Sequence, residues 1–98
     1  MNRVELAPRA RAQVRLIDGW WRENRLAAPT LFAEELASAL EQLERGVLFG
    51  VMYPFPLFKV RRFLLPRSRY HVFYSVDGDL VKVRAVWHAS RGKGPPLR

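Results

Sequence analysis

The stretch Arg69-Tyr70-His71-Val72-Phe73-Tyr74-Ser75-Val76-Asp77-Gly78-Asp79-Leu80-Val81-Lys82-Val83-Arg84-Ala85-Val86-Trp87-His88-Ala89 decides the fold. Two β-rich runs, 69–76 and 80–89, flank an Asp-Gly pair, the strongest short-range signal for a β-hairpin. Strict alternation gives each run two faces. Tyr70, Val72, Tyr74 and Val76 oppose His71, Phe73 and Ser75, while Val81, Val83, Ala85 and Trp87 oppose Lys82, Arg84, Val86 and His88. Packing Val72, Tyr74, Val83 and Trp87 inward leaves His71, Lys82, Arg84 and His88 on an open face.

Upstream, Phe58–Leu65 is another strand-like run, cut by Pro66, with Lys59 and Arg61 expected beside the open face. Of the adjacent pair Arg61 and Arg62, one must turn toward the core side or lie at an edge, where it can tie down a loop. Residues 46–57 hold Gly46, Gly50, Pro54 and Pro56 and read as a loop. That loop is unusually apolar (Val47, Leu48, Phe49, Val51, Met52, Tyr53, Phe55), so it packs on the core or awaits a partner.

The first half is helical. After a short alternating strand at 2–7, Pro8 suits the first turn of a helix over 8–24, with Ala10, Val14, Ile17 and Trp21 on one side. A connection at 24–29 leads to Thr30, a candidate N-cap, and to the stripe Phe32, Leu36, Ala39, Leu40 and Leu43, stopped by Gly46. The order is β-α-α-β-β-β. This is an α+β fold, an antiparallel sheet with a helix hairpin on one face, strand 1 able to join an edge, and the other face left to solvent or a ligand. Residues 1–91 form one domain and 92–98 a basic tail.

Composition sets limits on the chemistry. The 98 residues include no cysteine, which excludes a disulfide scaffold, a thiolate metal site and a cysteine nucleophile. Two histidines do not close a structural zinc site, and neither a metal nor a cofactor is expected. No apolar run approaches a membrane span, so the expectation is a cytoplasmic protein without a membrane partner. Seventeen basic against nine acidic side chains give +8, unevenly placed. Residues 1–44 carry six basic and seven acidic groups; residues 45–98 carry eleven and two, or +9. A basic half suggests a polyanion or an acidic protein as partner, and its cations sit between aromatics and strand residues rather than on a tail, which favours this over a merely solvated surface.

Asp77 and Asp79 sit in a turn and the glutamates on helices, so paired-carboxylate hydrolysis is disfavoured. No glycine-rich phosphate loop or Ser-His-Asp order is present. His71 is a candidate acid or base, although a lone histidine in a strand is more often structural; His88, at a strand end with Arg91 three residues on, reads equally either way. Trp20, Trp21 and Trp87 read as core or partner-facing.

These features together resemble one known group. The helix pair ending Leu40-Glu41-Gln42-Leu43, the run Phe58-Lys59-Val60-Arg61-Arg62, the Tyr-x-x-x-Tyr strand with its Asp77-Gly78-Asp79 turn, and the close Val86-Trp87-His88-Ala89-Ser90-Arg91 are similar to the RelE/ParE superfamily. The resemblance runs from about Val4 to Arg91. It implies a toxin of a bacterial type II toxin–antitoxin module, of the kind linked to plasmid stabilisation and growth inhibition.

Two mechanisms divide the superfamily. RelE-like members are endoribonucleases that cleave ribosome-bound mRNA, whereas ParE-like members are not enzymes and inhibit DNA gyrase. Lys59, Arg61 and Arg91 match positions that are basic in RelE-like toxins, but His71 replaces a usual arginine and no tyrosine follows Tyr74. The His88–Arg91 ending is closer to the ParE-like pattern, which is the preferred reading, with the ribonuclease as alternative. The resemblance implies His71, Arg61 and Arg91 as catalytic residues only in the RelE-like case. Candidate contacts to a target or nucleic acid are Lys59, Arg61, Arg62, Arg69, Lys82, Arg84, His88 and Arg91. It also implies a cognate antitoxin, gyrase or the ribosome with its mRNA as target, and operator DNA bound only through the antitoxin complex.

Overall fold

A computed structural model describes residues 1–91 and 94–97. Its elements are β1 (Arg3–Leu6), α1 (Pro8–Asn24), α2 (Leu31–Glu44), β2 (Val51–Tyr53), β3 (Val60–Leu65), β4 (Tyr70–Asp77) and β5 (Leu80–His88). The five strands form one sheet in the order β1-β5-β4-β3-β2. The architecture is α+β, as the hydrophobic patterning requires.

The hairpin forms where Asp-Gly places it. Asp77 pairs with Leu80, and Gly78 takes a left-handed φ of 60° at the first of the two loop positions, as a type II′ connection requires. β1 crosses back to lie beside β5, Arg3 opposite Leu80 through Leu6 opposite Val83. This pair is parallel, so the sheet is mixed rather than wholly antiparallel. Two helices stand between β1 and the rest, enough chain to return the strand in that sense.

α1 begins at Pro8, whose missing N–H is not needed there. α2 ends in a Schellman arrangement at Gly46 (φ 73°): the Gly46 N–H donates to Leu43 O and the Val47 N–H to Gln42 O, both at 3.1 Å. Asn2 secures the same end, donating from Nδ2 to Leu43 O at 2.9 Å. Thr30 stands at the N-cap of α2, but its hydroxyl donates to the Glu34 carboxylate and not to the helix backbone as a cap would.

Ala10 and Trp21 of α1 and Phe32, Leu36, Ala39 and Leu43 of α2 pack on Leu65, Val72, Tyr74, Val81, Val83 and Val86 of the sheet. The opposite face is not bare. Val60, Phe73, Ala85 and Leu97 form a second buried cluster, flanked by Tyr53, Phe55, Phe58 and Trp87. Two segments read as loop and tail supply this cover. The apolar loop contains β2, an edge strand paired with β3, and within the tail Leu97 is 3% exposed while Pro96 O accepts from Arg9 Nη1 at 3.1 Å. Gly92, Lys93 and Arg98 of that basic tail lie outside the described residues.

The turn between β3 and β4 is held from the helix layer. Glu35 of α2 accepts from the Arg67 N–H (2.8 Å), the Ser68 N–H (2.9 Å) and the Ser68 hydroxyl (2.6 Å). Burial raises the carboxyl's pKa, but these hydrogen bonds, Ser68 Oγ foremost, and the Arg67 charge outweigh it, leaving the group below its usual 4.5. The turn also fixes Arg69 at φ 68°, a left-handed conformation in a non-glycine residue. Glu35→Ala leaves the Ser68 donors unpaired and should destabilise the fold by about 1–3 kcal/mol, read by denaturant unfolding. Because the folded pKa is depressed, the Glu35 contribution is complete above pH 4.5 and disappears as pH falls through the lower folded value. The variant should lack that acid step.

Candidate functional site

One irregularity sorts the candidate residues. Val72 pairs with Val86 and Phe73 with Ala85, yet Tyr74 pairs with Val83, so Arg84 is an extra residue on β5. From the bulge onward the alternation is reversed. Val86 and His88 face the helices, and Ala85 and Trp87 face the other side. The expectation that Trp87 packs under the helices with His88 on the open face is therefore overturned. Gln13 of α1 meets the bulge, its Oε1 accepting the Val86 N–H at 2.8 Å.

Arg61 is also placed differently from expectation. It pairs with Tyr74 on the helix side of the sheet, and Nη1 donates to Gly50 O at 2.8 Å. The Gly50 N–H donates to the buried Tyr74 hydroxyl at 2.6 Å. Both polar groups of this buried glycine are thus paired with sheet side chains. A Cβ there would lie 2.5 Å from Arg62 O, so only glycine lets the segment approach. Arg61 ties down the strand leading into β2, and its neighbour Arg62 takes the open face.

The open face is a row of cations resting on rings. Arg62 lies 5.2 Å from the Tyr53 ring centre, and Arg84 lies 4.4 Å from that of Phe58 while its Nε donates to Ser75 Oγ at 3.0 Å. Lys82 pairs with Ser75, and Lys59 is exposed just before β3. Stacking holds these guanidinium planes in position at an attractive cation–π distance, so little side-chain entropy remains to be lost on binding. His71, opposite Trp87 and near Phe73, completes the face. Burial depresses its pKa below the usual 6.5, and Arg62 and Arg69 depress it further, against a backbone hydrogen bond at Phe63.

Arg69, His88 and Arg91 gather elsewhere. They line a groove of about 720 Å³ between α1, the β3–β4 turn and the end of β5. His88 stands edge-on to Tyr70 at 4.9 Å, its Nδ1 in contact with Ser90 Oγ at 2.7 Å; Arg91 lies over Trp87 at 4.3 Å. Trp20, Arg25 and Arg67 share this wall and were not singled out as site residues, because helix spacing and a turn do not announce that they converge. The eight candidate contacts are thus divided among an open face, a loop anchor and a groove. The described residues include no group of acidic and histidine side chains able to hold a metal ion, and no helix long and apolar enough to cross a membrane.

His71 makes a titration prediction. The folded protein holds its proton less tightly than the unfolded chain, so stability is complete above pH 6.5 and declines as pH falls below that value toward the depressed folded pKa. Thermal melts on either side of pH 6.5 should show this decline in the parent protein and a smaller one in His71→Gln.

Residues 4–92 match the family model described as the ParE toxin of the type II toxin–antitoxin system parDE. No curated protein matches the chain.

Proposed function

This chain belongs to the ParE toxin family of type II toxin–antitoxin systems, and we propose that it arrests growth by inhibiting DNA gyrase without catalysing a reaction of its own. The reading is carried by the family match, which spans nearly the whole chain. The geometry favours it over RNA cleavage. Arg61 is held on the helix side by Gly50 while His71 is on the opposite face, so the residues a RelE-like ribonuclease would combine do not converge. The open face offers the target Arg62 and Arg84, held in place by Tyr53, Phe58 and Ser75, with Lys82 on the same face and Lys59 exposed just before β3.

The experiment is a direct comparison. Purified protein should block supercoiling by gyrase or trap gyrase on DNA, Arg84→Ala should weaken that effect, and ribosome-bound mRNA should remain intact. Cleavage of mRNA in the ribosomal A site, abolished by His71→Ala, would replace this reading with the ribonuclease.

A toxin of this family is paired with a cognate antitoxin. The +9 half of the chain and the exposed Val47, Phe49, Val51 and Met52 favour an acidic antitoxin segment with apolar anchors that folds on binding. Ordering such a segment costs roughly 2–5 kcal/mol of the gross interaction energy. Charge attraction steers the encounter, so the association rate measured with the purified antitoxin should fall as salt rises. A rate indifferent to salt would contradict it.

A further inference from the structure

We infer that the groove beside α1 binds a flat aromatic ring carrying a phosphate, the chemistry of a nucleotide. This inference is independent of the gyrase reading, because the groove lies apart from the cations of the open face. Its volume of about 720 Å³ falls within the range of small-molecule sites.

The wall has two components. Rings come from Trp20 and Trp21 at the end of α1, Tyr70 at the start of β4, and Trp87 near the end of β5. Charge comes from Arg25, Arg67, Arg69 and Arg91, and no carboxylate lines the groove among the described residues. Glu35, behind the β3–β4 turn, accepts from the Arg67 and Ser68 N–H groups and partly offsets the Arg67 charge. Arg25, Arg69 and Arg91, with no carboxylate among the described lining residues, call for an anion, and phosphate suits their planar fork.

The rings make the anion specific. Trp20, with 45% exposure, keeps an indole accessible, and Arg25 lies 5.0 Å from its ring centre. A base stacked on Trp20 would therefore have a cation within reach of its own phosphate. Trp21, 8% exposed, backs Trp20 edge-on at 6.2 Å and holds that ring in place. An acidic peptide could engage the arginines, but its side chains would leave the π faces largely unused. Bases engage them by stacking irrespective of sequence.

The same chemistry could come from a free nucleotide or from the end of a nucleic-acid strand. The test is tryptophan fluorescence of the purified protein titrated with AMP, adenosine, inorganic phosphate, a short single-stranded oligoadenylate and a hexaglutamate peptide. Saturable quenching by AMP is expected, at least tenfold tighter than by adenosine or phosphate. Both Trp20→Ala and Arg25→Ala, each at an exposed position, should weaken it about fivefold or more while leaving the melting temperature close to the parent value. Oligoadenylate binding more tightly than AMP assigns the ligand to a strand; equal or weaker binding assigns it to the free nucleotide. No saturable AMP binding, equal binding of phosphate alone, tighter binding of hexaglutamate, or indifference to both substitutions would overturn the inference. Gyrase takes no part in these measurements, so they succeed or fail separately from the proposed function.

Discussion

The extra residue that β5 sets against β4 governs everything downstream of it. Up to Val83 the strand offers valines to the helices and Lys82 to the opposite side. Arg84 then has no residue opposite it on β4, and the remaining residues are turned over. Without that insertion, Trp87 would point into the space beneath α1 and His88 away from it. With it, a ring and its arginine stand at the end of the sheet, while a histidine reaches Tyr70 and the helix layer. The bulge needs support from outside the sheet, and the Gln13 side chain supplies it by accepting the Val86 N–H.

Arginine serves different purposes on the two sides of this sheet. Arg61 acts as backbone scaffolding, crossing to the carbonyl of a glycine that lies too close to Arg62 for any side chain. Arg62, the next residue, lies over Tyr53 and remains available at the surface. A strand's period of two is enough to separate the roles, since adjacent residues cannot share a face. Two identical side chains, one peptide bond apart, thus answer to different selective demands.

The hairpin was legible because its signals are local: Asp-Gly at the turn, alternation on either side, and a glycine where α2 stops. The faces of β5 beyond Val83 were not legible, because a bulge at Arg84 leaves no mark in residue type and a one-residue slip exchanges the two sides. β2 was hidden by its three-residue length and by prolines that follow directly, even though the apolar character of the surrounding loop was evident. The role of Leu97 was hidden too, since one leucine among Pro and Gly carries no periodicity and its burial depends on Val60, Phe73 and Ala85. Of the site residues, the basic character of the second half was readable from composition. Their division among face, anchor and groove follows from the third dimension alone.

The pairing of β1 with β5 also sets an order of events during synthesis. Arg3 through Leu6 are made long before the strand they hydrogen-bond to, which begins at Leu80. The helix hairpin, built from local contacts, can form early, yet the valines that it covers on β5 are made well after it. Such long-range closure slows folding and postpones it until β5 has cleared the exit channel. Until β5 has been made, the chain therefore lacks the completed sheet, and the helix hairpin has only part of the surface it will cover.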